Sequence, residues 1–197
     1  VSERESWIEV AARHEATFQP YVDRAVEAGA DPGTIKYLAQ TAGMQRYIFE
    51  NNNPGRETAY ASFEEFVLKH GEVFEAPPTK KPRPKGFRKG RDKMCFMNST
   101  HAAFEHGWSY VEGFGTGYIP AHHAWVVDDD GNVVETTWKQ AGSTYFGVKF
   151  SDEQWRLSIS LTGVYGVMNA VLMEQPYTPE GHVAALRAAL AEKRRAA

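Results

Sequence analysis

The sequence predicts an α+β protein: a helical N-terminal part, a core in which one helix packs on an antiparallel sheet, and a C-terminal helix. Three observations predict it. Residues 1–75 show helical periodicity, residues 109–150 show short alternating runs broken by turn residues, and each helix carries start and stop signals. Of the 197 residues, 42% are hydrophobic and 13% aromatic, enough for a packed core. The net charge of −3 gives no general attraction to nucleic acid or to anionic membranes.

The elements follow in order. Trp7, Ala11, His14, Phe18 and Tyr21 lie on one helix face, and Pro20 kinks or restarts that helix. Asp31-Pro32 is an N-cap with proline at the first helical position, opening a helix whose stripe is Ile35, Leu38, Ala42 and Tyr47. Residues 51–55, with Pro54 and Gly55, form a loop. Ser62 and Glu65 fit a capping box, and Gly71 a helix stop. Asp92 is placed to cap a helix running to about His106, stopped by Gly107. Strands are expected over 109–115, 122–128, 133–138 and 145–150. Ser151 and Gln154 resemble another capping box, opening a helix toward Leu161. Residues 164–173 are apolar and fit strand or helix. Thr178-Pro179 opens a final helix ending in Lys193-Arg194-Arg195, where the dipole favours positive charge. The expected organisation is therefore a helical part (1–75), a segment rich in proline and basic residues (76–93), an α+β core (94–175) and a C-terminal helix (176–197).

The segment 76–93 carries Pro77, Pro78, Pro82 and Pro84. Its basic residues are Lys80, Lys81, Arg83, Lys85, Arg88, Lys89, Arg91 and Lys93, opposed only by Asp92. It reads as a solvated linker, or as a flap that contacts phosphate or another acidic group beside the core. Phe87 is its one aromatic, so a base-stacking surface is not indicated and support for nucleic acid is weak.

Cys95 is the only cysteine, so no intrachain disulfide forms. No apolar run approaches the roughly 20 residues needed to span a bilayer, and the first residues are polar, so a cytoplasmic location is expected. With Asp92 as cap, Cys95 falls in the first helical turn, where free N–H groups and the dipole favour a thiolate. A nearby histidine can pair with that sulfur and later protonate a leaving group. His123 is the preferred base and His122 its neighbouring alternative, because strand alternation lets only one face the cysteine helix. Trp125 would then wall the pocket and exclude water.

The third residue depends on a hairpin. A three-residue loop, Asp129-Asp130-Gly131, would close as a type I turn with a left-handed glycine. Trp125 then faces Glu135, and His123 faces Thr137. His123 and Glu135 share a face at roughly 7–8 Å between backbones, a gap that a glutamate side chain covers. Thr137 is the rival partner in the same register. Glu112 is a further candidate, read first as a solvent-facing residue. The histidines near Cys95, including His101 and His106, show no closed ligand spacing, so no metal or cofactor is expected.

His123-Ala124-Trp125-Val126-Val127-Asp128 followed by Glu135-Thr136-Thr137 resembles the transglutaminase-like cysteine-enzyme core, with the cysteine earlier on a helix. Papain-like and NlpC/P60-like enzymes share this order of parts. The wider stretch, with Cys95, Asn98, Tyr110-Val111-Glu112-Gly113, Pro120 and Tyr145-Phe146-Gly147, is similar to uncharacterised phage-encoded proteins. Such an origin would put the chain in the host cytoplasm. Glu135 and Thr136 stand where the family has aspartate and proline. The resemblance implies a thiol-dependent amide or ester hydrolase or acyltransferase working through an acyl-enzyme on a small-molecule or peptide substrate. Cys95 is the nucleophile in it, His123 the proton shuttle and Glu135 the orienting acid. The Cys95 N–H and, more weakly, Asn98 are the oxyanion candidates. The alternative is a non-catalytic binding protein on the same fold, contacting an acidic or nucleic-acid-linked partner through the basic run 80–93.

Overall fold

The structure is a computed structural model that describes residues 7–77, 86–168 and 175–196. Its first helices form where the local signals put them. α1 (Trp7–Thr17) gives way to α2 (Gln19–Glu27) at Phe18, and Pro20 sits in the first turn of α2, where it needs no N–H partner. α3 (Pro32–Asn52) starts at Asp31, whose carboxylate accepts the Thr34 N–H at 2.7 Å. Its stripe of Ile35, Leu38 and Ala42 is fully buried. α3 runs through Asn51 and Asn52, which the sequence suggests as loop.

Only half of the expected capping box forms at α4 (Phe63–His70). Ser62 Oγ accepts the Glu65 N–H at 3.2 Å, but Glu65 turns away to the Ala61 N–H and to Arg46 and Lys69, both at 2.6 Å. Two cations outbid one backbone amide for a buried carboxylate. Straight after α4 comes a strand that the pattern does not reveal, β1 (Glu72–Phe74). Three residues are too few for alternation to register.

β1 pairs with β5 (Thr144–Phe150), which pairs with β2 (Ser109–Thr116). β2 pairs with β3 (Pro120–Val127), and β3 with β4 (Val133–Val134). The sheet order is β1-β5-β2-β3-β4, antiparallel throughout. One face carries Tyr110, Phe114, Ala124, Val126, Phe146, Val148 and Phe150 into a core shared with the helices. The other carries Val111, Trp125, Val127 and Tyr145, with Phe74 and Val133. α5 (Cys95–His106) packs on β2 and β3, and stops at Gly107 in the left-handed conformation at φ 72°. α6 (Asp152–Thr162) has the full Ser151–Gln154 capping box and packs on α7 (Pro179–Ala196). Residues 163–168 are irregular; the rest of the ambiguous apolar stretch begins at 169, outside the described residues. Among the described residues no helix is long and apolar enough to cross a membrane.

Glu112 is not solvent-facing. It is fully buried on the helix side of the sheet, where it accepts from Tyr110 Oη at 2.7 Å, from the Val167 N–H, and from the Met168 N–H at 3.1 Å. Its carboxyl clamps the segment after α6 to the sheet.

Candidate active site

Cys95 is the first residue of α5. The chain does not use Asp92 as its cap. Lys93 takes φ 64°, the one left-handed non-glycine residue described, and Met94 occupies the N-cap with no side-chain hydrogen bond. That turn moves the helix start past Asp92. It also leaves the first N–H groups of α5 without a capping side chain beside the sulfur. Cys95 itself is half-buried, so a reagent can reach it.

The start of α5 is fastened to the chain that follows β4. Asn98 Nδ2 donates to Arg91 O at 2.8 Å and to Thr137 Oγ1 at 2.7 Å. Ser99 Oγ and Thr136 Oγ1 bond at 2.8 Å, and the Gly90 N–H reaches Thr136 O at 3.0 Å. A Cβ on Gly90 would lie 2.0 Å from Asn98 Oδ1, so this crossing requires glycine. Part of the basic segment is thereby held against the cysteine helix, and Phe87 packs on His106 and Trp108. Lys80, Lys81, Arg83 and Lys85 lie outside the described residues.

The hairpin takes the register of the three-residue loop. Val126 pairs with Val134 and Val127 with Val133; Gly131 is left-handed at φ 83°, and its N–H bonds to Asp128 O at 3.0 Å. The ladder ends at Val134, earlier than expected, and Glu135 begins a turn. Its Oε1 accepts the N–H groups of Thr137 at 2.8 Å and Trp138 at 2.9 Å. Its Oε2 accepts from His123 Nε2 at 3.0 Å and Tyr145 Oη at 2.7 Å. Four donors thus fix one buried carboxylate. Burial opposes its charge, but the His123 bond and charge and the two amides outweigh burial and hold Glu135 below the usual carboxylate range. An ionised carboxylate only accepts, so His123 Nε2 carries a proton.

That assignment leaves His123 Nδ1 for the sulfur. The Cys95 side chain lies close enough to the imidazole to act on its titration. Burial pulls the imidazolium down, yet the interactions with Cys95 and Glu135, with the charges of both groups, raise His123 to about 9. His123 is 1% exposed. Trp138 stacks on it with centroids 3.9 Å apart and planes at 13°. A Cβ on Gly115 would come within 2.8 Å of that indole, so glycine there makes room for the stack.

His122 points to the other face, among Phe63, Phe96 and Phe114, with ring centroids 4.9–5.7 Å away. Burial, with the nearby His123 charge, pushes it down to about 4, and its Nε2 has no partner. The expectation that the base is the histidine facing the cysteine helix does not hold. The ring that meets the body of α5, through Phe96, is His122. His123 meets Cys95 from the opposite face because Cys95 lies at the very end of α5, which is tied to the chain beyond the short β4.

The structure therefore brings Cys95, His123 and Glu135 together. The Thr137 hydroxyl is taken by Asn98, Glu112 lies in the helix-side core, and the Asn98 amide is committed to Arg91 and Thr137. Trp125 is buried against Phe74 and Tyr145, with its ring 6.2 Å from His123; the closer cover is Trp138. The sequence does not mark Trp138 or Tyr145 as site residues. The adjacency of Trp138 to the Glu135 turn is the one local hint, and nothing local links Tyr145 to Glu135. Among the described residues no three His, Cys, Asp or Glu side chains are grouped to hold a metal ion. No known protein family, curated protein or solved structure matches the chain.

Proposed function

We propose that the protein is a thiol-dependent acyl-transfer enzyme, a hydrolase or acyltransferase acting on amides or esters, with a core of the transglutaminase-like or papain-like kind. One observation carries the reading: a buried imidazole bonds to a carboxylate fixed by four donors and lies within interaction range of the only thiol. In the reaction Cys95 Sγ adds to the carbonyl carbon, and free N–H groups at the start of α5 receive the oxyanion. The C–N or C–O bond then breaks as His123 Nδ1 gives its proton to the leaving group, leaving a thioester. Water or an amine next attacks the thioester, His123 takes its proton, and the thiol is released. Glu135 keeps the ring oriented and balances its charge, while Trp138 shields it from water.

Alkylation of Cys95 by iodoacetamide, followed by intact-protein mass, tests the pairing. The rate at pH 7 should drop about tenfold in His123→Ala, the ratio that a loss of about 1.4 kcal/mol of interaction produces. Equal rates in the two proteins would sink the proposal. A binding protein on this fold would keep its partner after Cys95→Ser and would show no His123-dependent acylation by p-nitrophenyl acetate.

A further inference from the structure

A cavity of about 370 Å³ opens beside Trp138, between the β2–β3 turn and the loop that leads into β5. Its walls include Tyr118, Ile119, Trp138, Gln140, Ala141 and Ser143, and none of the described residues that line it is charged. We propose that this cavity is the acyl-side-chain subsite and that it selects an uncharged, apolar substituent. The inference rests on the acyl-transfer reading given above.

Three features point that way. First, Trp138 is shared: the ring that lines the cavity is the ring stacked on His123. A group seated there is one indole away from the base. Second, the walls hang on the network that fixes Glu135. Gly142 N–H donates to Tyr145 Oη at 2.9 Å, and Tyr145 donates to Glu135. Ser143 N–H and Oγ both reach Thr116 O, at 2.7 and 3.1 Å, which joins the two loops. Third, Tyr118 and Ile119 stand 106% and 72% exposed at the mouth. Two large apolar side chains side by side in water are ready to cover an apolar guest. Ligand cavities span roughly 300–1,000 Å³, so this one, at the small end, fits a single side chain or short acyl chain. A charged group would lose its hydration there without gaining a counter-ion.

The test compares p-nitrophenyl esters of acetate, hexanoate, phenylacetate, succinate and 6-aminohexanoate. Acylation of Cys95 is followed by intact-protein mass, and each rate is divided by that of a free thiol. Hexanoate and phenylacetate should exceed acetate and both charged esters by about tenfold, or about 1.4 kcal/mol. In Tyr118→Ser/Ile119→Ser the ratio of hexanoate to acetate should collapse toward one. A wild type without the preference, or a variant that keeps it, overturns the subsite even if acetylation depends on His123. Failure of every ester to acylate Cys95 overturns the acyl-transfer reading, and the subsite with it.

Discussion

Replacing Glu135 by glutamine keeps the size of the side chain and removes its charge. Glutamine's carbonyl can still accept the Thr137 and Trp138 N–H groups, which both point at one oxygen. Its amide nitrogen then faces His123 Nε2–H and the Tyr145 hydroxyl, so donors meet donors. The rise of His123 from 6.5 to about 9 corresponds to roughly 3 kcal/mol in favour of the imidazolium. The variant loses both the Glu135 hydrogen bond and its charge, while the burial that opposes the imidazolium stays. The titration midpoint should therefore fall by at least about one pH unit, or about 1.4 kcal/mol. Imidazole NMR titration measures this, with the His123 signal identified by its absence from His123→Gln. The linkage has a definite sign. A raised histidine contributes stability that is fully present below pH 6.5 and is lost as pH rises through about 9. On the acid side, Glu135 contributes stability above pH 4.5 that is lost as pH falls through its lowered value. Urea unfolding should thus show the largest gap between wild type and variant near pH 5–6.5, narrowing toward pH 10. An unchanged His123 midpoint in Glu135→Gln, with the variant folded, would refute the reasoning.

Tyr145→Phe removes a donor to Glu135 and leaves the Gly142 N–H without its acceptor, so urea unfolding should show a loss of about 1–3 kcal/mol; wild-type stability would contradict that network. Gly115→Ala puts a methyl group within 2.8 Å of the Trp138 ring and should cost about 1–3 kcal/mol while slowing Cys95 alkylation; unchanged stability and labelling would mean that the stack does not matter. His122→Phe should leave Cys95 alkylation unchanged. Because His122 is held neutral down to about pH 4, its unfolded form gains the proton first, and wild type loses up to roughly 3 kcal/mol as pH falls from 6.5 to 4. The phenylalanine variant should lose less over that interval, and an identical acid profile would count against the assignment.

Much of the fold was legible because its signals are local. Asp31, Ser62 and Ser151 sit within three residues of the amides they cap, so the residue type announces the helix. Gly131 fixes the hairpin loop, and loop length fixes register, so the Val126–Val134 pairing could be read from five consecutive residues, whereas the turn that begins at Glu135 could not. Local signals misled where competitors lay elsewhere in the chain. Glu65 forsook its capping box for Arg46, and Asp92 lost its cap to the left-handed turn at Lys93.

The sequence by itself determined most of the helices, the hairpin register, and three residues worth placing together: Cys95, His123 and Glu135. Tertiary structure alone decided that the His123 ring bonds to Glu135 while Glu112 lies in the helix-side core, that Trp138 covers the base, and that Tyr145 completes the carboxylate. Each of those contacts joins separate segments of the chain. Caps and tight turns are set by the conformations of neighbouring residues. A buried hydrogen-bond network is set by which segments packing brings to the same place, and no local pattern records that.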